Sequence, residues 1–150
     1  MSIDRIFLDA NILFSLAYGS PSLDRFCEIS GKGNCELLVS RYVIEEAKRN
    51  LTEPGQTKKL NTFLSEVRVV PEADPRVRCP IDLPDKDKPV LMAAISAEAD
   101  YLITGDVAHF GRYFGKTIEG VCGLVVIVED QLGVWGDLEI SRIQEKKVEF

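Results

Sequence analysis

The sequence predicts an α/β domain built on a parallel five-stranded sheet with helices on both faces. Three observations predict it. Short β-rich apolar runs alternate with stretches of helical spacing, the pattern of strands joined by crossover helices. The 150 residues suit one domain with its own core. The balance of 45% hydrophobic and 28% charged residues is that of an ordinary soluble globular protein.

The elements follow in order. "IDRIFL" (3–8) is an apolar run that stops at Asp9 and suits a buried strand. "NILFSLAYGS" sets Ile12, Leu13, Leu16 and Ala17 at helical spacing. After a break near Gly19-Ser20-Pro21, a second helical piece, "SLDRFCEIS", is capped by Ser22. "ELLVS" (36–40) is the second strand, and Ser40 caps "RYVIEEAKRNL", whose apolar stripe is Val43, Ile44, Ala47 and Leu51. Pro54 opens a further helix, "GQTKKLNTFLSE", at a position where its missing N–H costs nothing.

"VRVV" (67–70) is the third strand. Residues 71–87 hold four of the seven prolines and read as an irregular loop. Pro89 starts the next helix, "YLIT" (101–104) is the fourth strand and "LVVIV" (124–128) the fifth. Residues 131–150 read as a short helix and a tail.

The totals also exclude. That longest aliphatic run is far too short to span a membrane, and the opening "MSIDRIFLDAN" shows no signal peptide. Cys27, Cys35, Cys79 and Cys122 lack the C-x-x-C spacing of a zinc site and are expected as reduced, partly buried thiols. A cytoplasmic location is expected. The net charge of −6 argues against a broad basic footprint for nucleic acid, though not against a basic rim around an acidic centre.

Acids fall where an open parallel sheet binds ligands, beyond the carboxyl ends of its strands. Asp9 ends the first strand and Asp106 follows the fourth. Asp87 precedes the helix that leads into the fourth strand. A helix of roughly 11 residues spans about 16 Å, so Asp87 is expected to start at the opposite end of the sheet from Asp106. It then reaches the other acids only if its helix crosses obliquely or its start curls inwards. Taken singly, each acid has a plainer reading. Asp9 and Asp87 are helix caps, Asp106 is a turn residue, and Glu46 beside Glu45 is a solvated helix face.

Four segments decide between these readings: "IFLDANILFS", "LLVSRYVIEEAKRNL", "DKDKPVLMAAISAEADYLITGD" and "AHFGRYFGKTIEGV". Together they resemble PIN domains, a family of metal-dependent ribonucleases that includes many toxins of toxin–antitoxin pairs. The resemblance implies a PIN-like nuclease domain over 1–128, a C-terminal extension over 129–150, and strand order 3-2-1-4-5. It implies Asp9, Glu46, Asp87 and Asp106 as catalytic and metal-binding acids, with Glu45 and Asp85 as the alternative registers for the second and third. Asn11 and Thr104 are the supporting residues. The implied cofactor is Mg²⁺ or Mn²⁺, hard cations that prefer oxygen ligands. The implied partners are an RNA substrate, an antitoxin protein and a second copy in a homodimer, with no membrane.

The chemistry explains why four acids would gather. Two carboxylates 4 Å apart repel by about 4 kcal/mol at an effective dielectric near 20, and a divalent ion relieves this. Such an ion lowers the pKa of a bound water and polarises a phosphodiester, and attack at phosphorus would leave 5′-phosphate and 3′-hydroxyl ends. That route needs no histidine, and the single histidine, His109, is expected in a loop or packing role.

Arg41, Lys48, Arg49, Arg112 and Lys116 are candidate substrate contacts, with Lys58 and Lys59 further away. Phe110, Tyr113 and Phe114 are candidate base-stacking rings, at least two of them expected in the core. Two other readings stand beside the nuclease. A phosphoaspartate hydrolase also ends its first strand on Asp, but would want a second aspartate where Asn11 stands. A PIN-like module that binds nucleic acid or protein without strong catalysis is the other alternative.

Overall fold

The structure, a computed structural model, describes residues 4–19, 35–113 and 115–125. The helical piece at 22–30, the extension at 129–150 and Phe114 lie outside the described residues. The elements are β1 (Asp4–Leu8), α1 (Ala10–Ala17), β2 (Cys35–Ser40), α2 (Arg41–Arg49), α3 (Pro54–Leu64) and β3 (Arg68–Val70). They continue with α4 (Lys88–Ser96), β4 (Tyr101–Thr104), α5 (Val107–Phe110), a 3-10 turn (Gly111–Tyr113), β5 (Thr117–Ile118) and β6 (Val121–Val125).

The strands form one sheet in the order β3-β2-β1-β4-β6-β5. Its first five members are parallel, and in that order β6 takes the place expected of the fifth strand. The difference lies at the edge. The sheet carries a sixth, antiparallel strand, β5, which pairs Thr117 with Cys122 and Ile118 with Val121. The two-residue loop between β5 and β6, Glu119-Gly120, has φ of 47° and 88°. Positive φ at both positions makes a turn whose twist suits a hairpin. The last strand therefore begins three residues before the aliphatic run that announced it.

Local chemistry sets the element boundaries. Ser40 Oγ accepts from the Val43 N–H at 3.5 Å and starts α2. Pro54 opens α3, where Gln56 Oε1 accepts from the Glu53 N–H at 3.2 Å. Ile6, Phe7 and Leu8 of β1 and Leu37, Leu38 and Val39 of β2 are buried, as is all of β4. Such continuous apolar runs belong to strands covered on both faces. The predicted stripe of α1 is buried at Ile12, Leu13, Leu16 and Ala17; that of α2 is buried at Val43 and Ala47, with Ile44 half-buried and Leu51, also half-buried, beyond the end of the helix. Cys79 is a half-buried free thiol.

The chain builds β1, β2 and β3 outwards in one direction and then returns to place β4 on the other side of β1. With right-handed crossovers, that reversal puts α4 on the opposite face from the helices that follow β1 and β2. It also opens a crevice between the carboxyl ends of β1 and β4, the place where doubly wound sheets bind ligands.

Candidate active site

The register fixes the centre of the crevice. Leu8 pairs with Ile103, so the next residues outwards, Asp9 and Thr104, stand side by side. Asp9 donates its N–H to Ile103 O at 3.0 Å. Its Oδ1 accepts from the Ala10 N–H at 2.7 Å and its Oδ2 from the Thr104 hydroxyl at 2.7 Å. Thr104 Oγ1 in turn accepts from the Asp106 N–H at 3.0 Å and from Asn11 Nδ2 at 3.3 Å. Asn11 Oδ1 accepts from the Gly105 N–H at 2.7 Å. Asp9, Asn11 and Thr104 thus clamp the β1–α1 junction to the turn after β4.

Asp9 caps α1 and faces the crevice as well. It is 4% exposed, and burial pushes its carboxyl up to about 6 from 3.8. The Thr104 hydroxyl and Ala10 N–H oppose that rise, and the negative charges of Glu46 and Asp87 add to it.

A cleft of about 520 Å³ runs from this centre, lined by Asp9, Asn11, Phe14, Glu46, Asn50, Lys86, Asp87 and Asp106 among others. The four acids predicted from sequence therefore border one cavity. The two alternative acids do not. Glu45 and Asp85 line a separate groove of about 560 Å³ with Arg41, Tyr42 and Lys88. There Asp85 pairs with Lys88 at 3.0 Å.

Asp87 corrects two expectations. It does not lie at the far end of the sheet. A crossover helix runs antiparallel to its strands, so α4 begins at the carboxyl ends and descends to the start of β4. Its first residues therefore open beside Asp9 and Asp106 without any oblique crossing. Nor does its side chain cap α4, with which it makes no capping bond. The carboxylate points into the cleft instead and is 7% exposed. Burial raises its pKa, the neighbouring Asp106 adds to the rise, and Lys86 and His109 oppose it.

Asp106 Oδ1 accepts from the His109 N–H at 3.2 Å, as a carboxylate at the head of a helical turn does. This brings the imidazole back over the acids. His109 Nδ1 lies 2.7 Å from Asp106 Oδ2 and 3.0 Å from Asp87 Oδ2. His109 is thus no bystander, against expectation. The signal was its spacing: residues three apart on a helical turn share a face.

The cations fall elsewhere. Arg41 lines the second groove. Lys48 and Arg49 are exposed in the last turn of α2. Arg112 lies 5.0 Å over the Tyr113 ring and donates to Asp82 O at 3.3 Å. Lys116, Lys58 and Lys59 are exposed. Among the described residues, the cation that borders the acid cleft is Lys86, which no sequence signal singles out. It sits between two aspartates, and Tyr42 Oη fixes its backbone by donating to Lys86 O at 2.7 Å. Of the candidate stacking rings, Phe110 is in the core and Tyr113 is half-buried.

The donor set fits a hard divalent cation. It is rich in carboxylate oxygen, and Asp87 Oδ2 is buried without a hydrogen-bond partner. An anionic oxygen so placed is costly unless something positive faces it. Thr104 lets the clamp be tested. Thr104→Val keeps the shape but removes the hydroxyl from the Asp9 oxygen, which keeps only the longer bond from Asn11 Nδ2 at 3.4 Å, and leaves the Asp106 N–H without its acceptor. A loss of about 2–3 kcal/mol is expected, read as a lower urea midpoint at unchanged slope.

Among the described residues no helix is long and apolar enough to cross a membrane. No curated protein matches the chain. Nine chains of solved structures are similar to it. One belongs to the VapBC2 complex of Rickettsia felis bound to a DNA fragment from its promoter. The two are 18% identical, with a TM-score of 0.59 over 81% of this chain and 98% of that one. At this identity the likeness speaks for the fold. A family model described as the PIN domain matches residues 5–108. The matched segment includes Asp9, Asn11, Glu46, Asp87, Thr104 and Asp106 and covers well over half the sequence, and the chain belongs to the PIN domain family.

Proposed function

We propose that the protein is a divalent-metal-dependent ribonuclease whose site consists of Asp9, Glu46, Asp87 and Asp106. The observation that carries this reading is their common cleft at the carboxyl ends of β1 and β4, together with an Asp87 oxygen that is buried without a hydrogen-bond donor and faces only the edge of the His109 ring. Mg²⁺ or Mn²⁺ held there would supply Lewis acidity and an activated water. The chain's own residues do the rest. Thr104 and Asn11 hold the Asp9 carboxylate in one orientation. Asp106 is held by the Thr104 hydroxyl through its N–H. Lys86, at the cleft wall, is placed to meet a phosphate oxygen of the strand.

The test is hydrolysis of several RNAs with Mg²⁺, Mn²⁺ or EDTA, with products examined for 5′-phosphate ends. Cleavage that survives EDTA would end the metal-dependent reading. Absence of cleavage on every RNA, with metal bound, would favour the non-catalytic binding module. Glu46→Gln against Glu45→Gln tests the register of the second acid: the first is expected to lower the rate at least about 100-fold, the second less than threefold.

The toxin role, with an antitoxin as partner, has narrower support. It rests on family membership and on the VapBC2 complex to which the fold is similar. Growth arrest on expression, relieved by Asp9→Asn, is its expected sign. The homodimer is testable by sedimentation.

A further inference from the structure

The His109 ring stands where the four-acid reading has no use for it. Its Nδ1 is within 3.0 Å of one oxygen from each of two aspartates. A neutral ring with its hydrogen on Nδ1 has one proton for those two oxygens. Asp106 Oδ2 is the one in hydrogen-bonding geometry, and Asp87 Oδ2, on a side chain nine-tenths buried, keeps no hydrogen-bond partner. Ligand atoms of Asp87, Asp106 and His109 all lie within 4.8 Å of one another. His109 also falls just beyond the segment that the family model matches, residues 5–108.

We propose that His109 is a nitrogen ligand of the metal centre and biases it towards first-row transition ions and away from Mg²⁺. The inference rests on the metal-dependent reading of the cleft. Mg²⁺ favours carboxylate, carbonyl and water oxygen, whereas imidazole binds transition ions better, increasingly so from Mn²⁺ to Co²⁺. A ring already held against two aspartates loses little freedom on becoming a ligand. The change it undergoes is of tautomer: the hydrogen sits on Nε2, and the Nδ1 lone pair replaces the proton now shared with Asp106. Asp87 Oδ2 then faces a cation.

The experiment uses the full chain with Mn²⁺, Co²⁺ and Mg²⁺ alone, without RNA. Pulsed EPR of the Mn²⁺-loaded wild type is expected to show the ¹⁴N coupling of a ligated imidazole, lost in His109→Gln. By calorimetry, His109→Gln is expected to lower the Co²⁺-to-Mg²⁺ affinity ratio at least tenfold, with Mg²⁺ binding itself changed less than threefold. Bound Mn²⁺ without nitrogen coupling in the wild type, or a ratio unmoved in the variant, overturns the proposal and leaves the four-acid reading standing. Failure of the wild type to bind any of the three ions, with Asp9→Asn indistinguishable from it, overturns both. The EPR result on the wild type needs no variant, so a misfolded His109→Gln would not blunt the test.

Discussion

Asp9→Asn is expected to reduce RNA cleavage at least about 1000-fold while leaving the far-ultraviolet circular dichroism unchanged. The expectation follows from what the two side chains can and cannot replace. As a helix cap, asparagine is the equal of aspartate, so a residue serving only α1 would tolerate the change. In the cleft it is not equivalent, because an amide carries no charge to offer a divalent ion. The stability terms nearly cancel. The buried charge costs up to about 3 kcal/mol near neutral pH, the equivalent of raising the carboxyl from 3.8 to about 6. Against that, the amide nitrogen facing Thr104 loses the acceptor of its hydroxyl, worth about 1–3 kcal/mol. A fold within about 1 kcal/mol of the wild type and a dead site are thus expected together. An Asp9→Asn protein that still cuts RNA at a tenth of the normal rate would refute the assignment.

The second large effect is a pH-dependent loss of stability that metal reverses. Asp9 holds its proton more tightly in the folded chain than in the unfolded one. Below 3.8 both forms are protonated and its contribution is fully present. As pH rises through about 6 the folded form must also ionise, and that contribution, about 3 kcal/mol, is lost. Burial and Asp106 raise Asp87 as well, so it acts in the same direction.

In EDTA, the stability difference between the wild type and Asp9→Asn should therefore shift by about 2.4 kcal/mol against the wild type from pH 4 to pH 7.5, since at pH 4 the unfolded carboxyl is already partly ionised. Mg²⁺ or Mn²⁺ at about 100 times its dissociation constant should return about 2.7 kcal/mol to the wild type at the higher pH. Urea titrations at the two pH values read this directly, and parallel curves in EDTA for the two proteins would contradict it.

Much of this was legible in the sequence, and the exceptions have physical causes. β1 and β4 are announced by apolar runs cut off by Asp9 and by Thr104-Gly105-Asp106, because the core ends where the crevice begins. Ser40 and Pro54 mark helix starts through chemistry that acts within one turn. Asp87 borders the cleft with the other acids, and its end of the sheet is set by the direction of α4, which runs antiparallel to the strands, and not by the helix length from which the opposite end is expected.

The β5–β6 hairpin was hidden by Glu119, an unusual residue for positive φ, where asparagine or glycine is the familiar sign. His109 and Lys86 escaped for a different reason. Neither is marked by composition or by the four-acid pattern, and their places depend on how the turn after β4 and the turn before α4 close over one another. Glu46 and Glu45 are neighbours of like charge that only the rotation of α2 separates, one into the cleft and one into the second groove.

The clamp between Asp9 and Thr104 joins residues 95 apart in the chain. Closing so long a loop is entropically late work in folding. During synthesis, then, Asp9 emerges from the ribosome long before the hydroxyl that orients it, and a partly made chain has no assembled centre. The centre is complete only once the central strands β1 and β4 have paired.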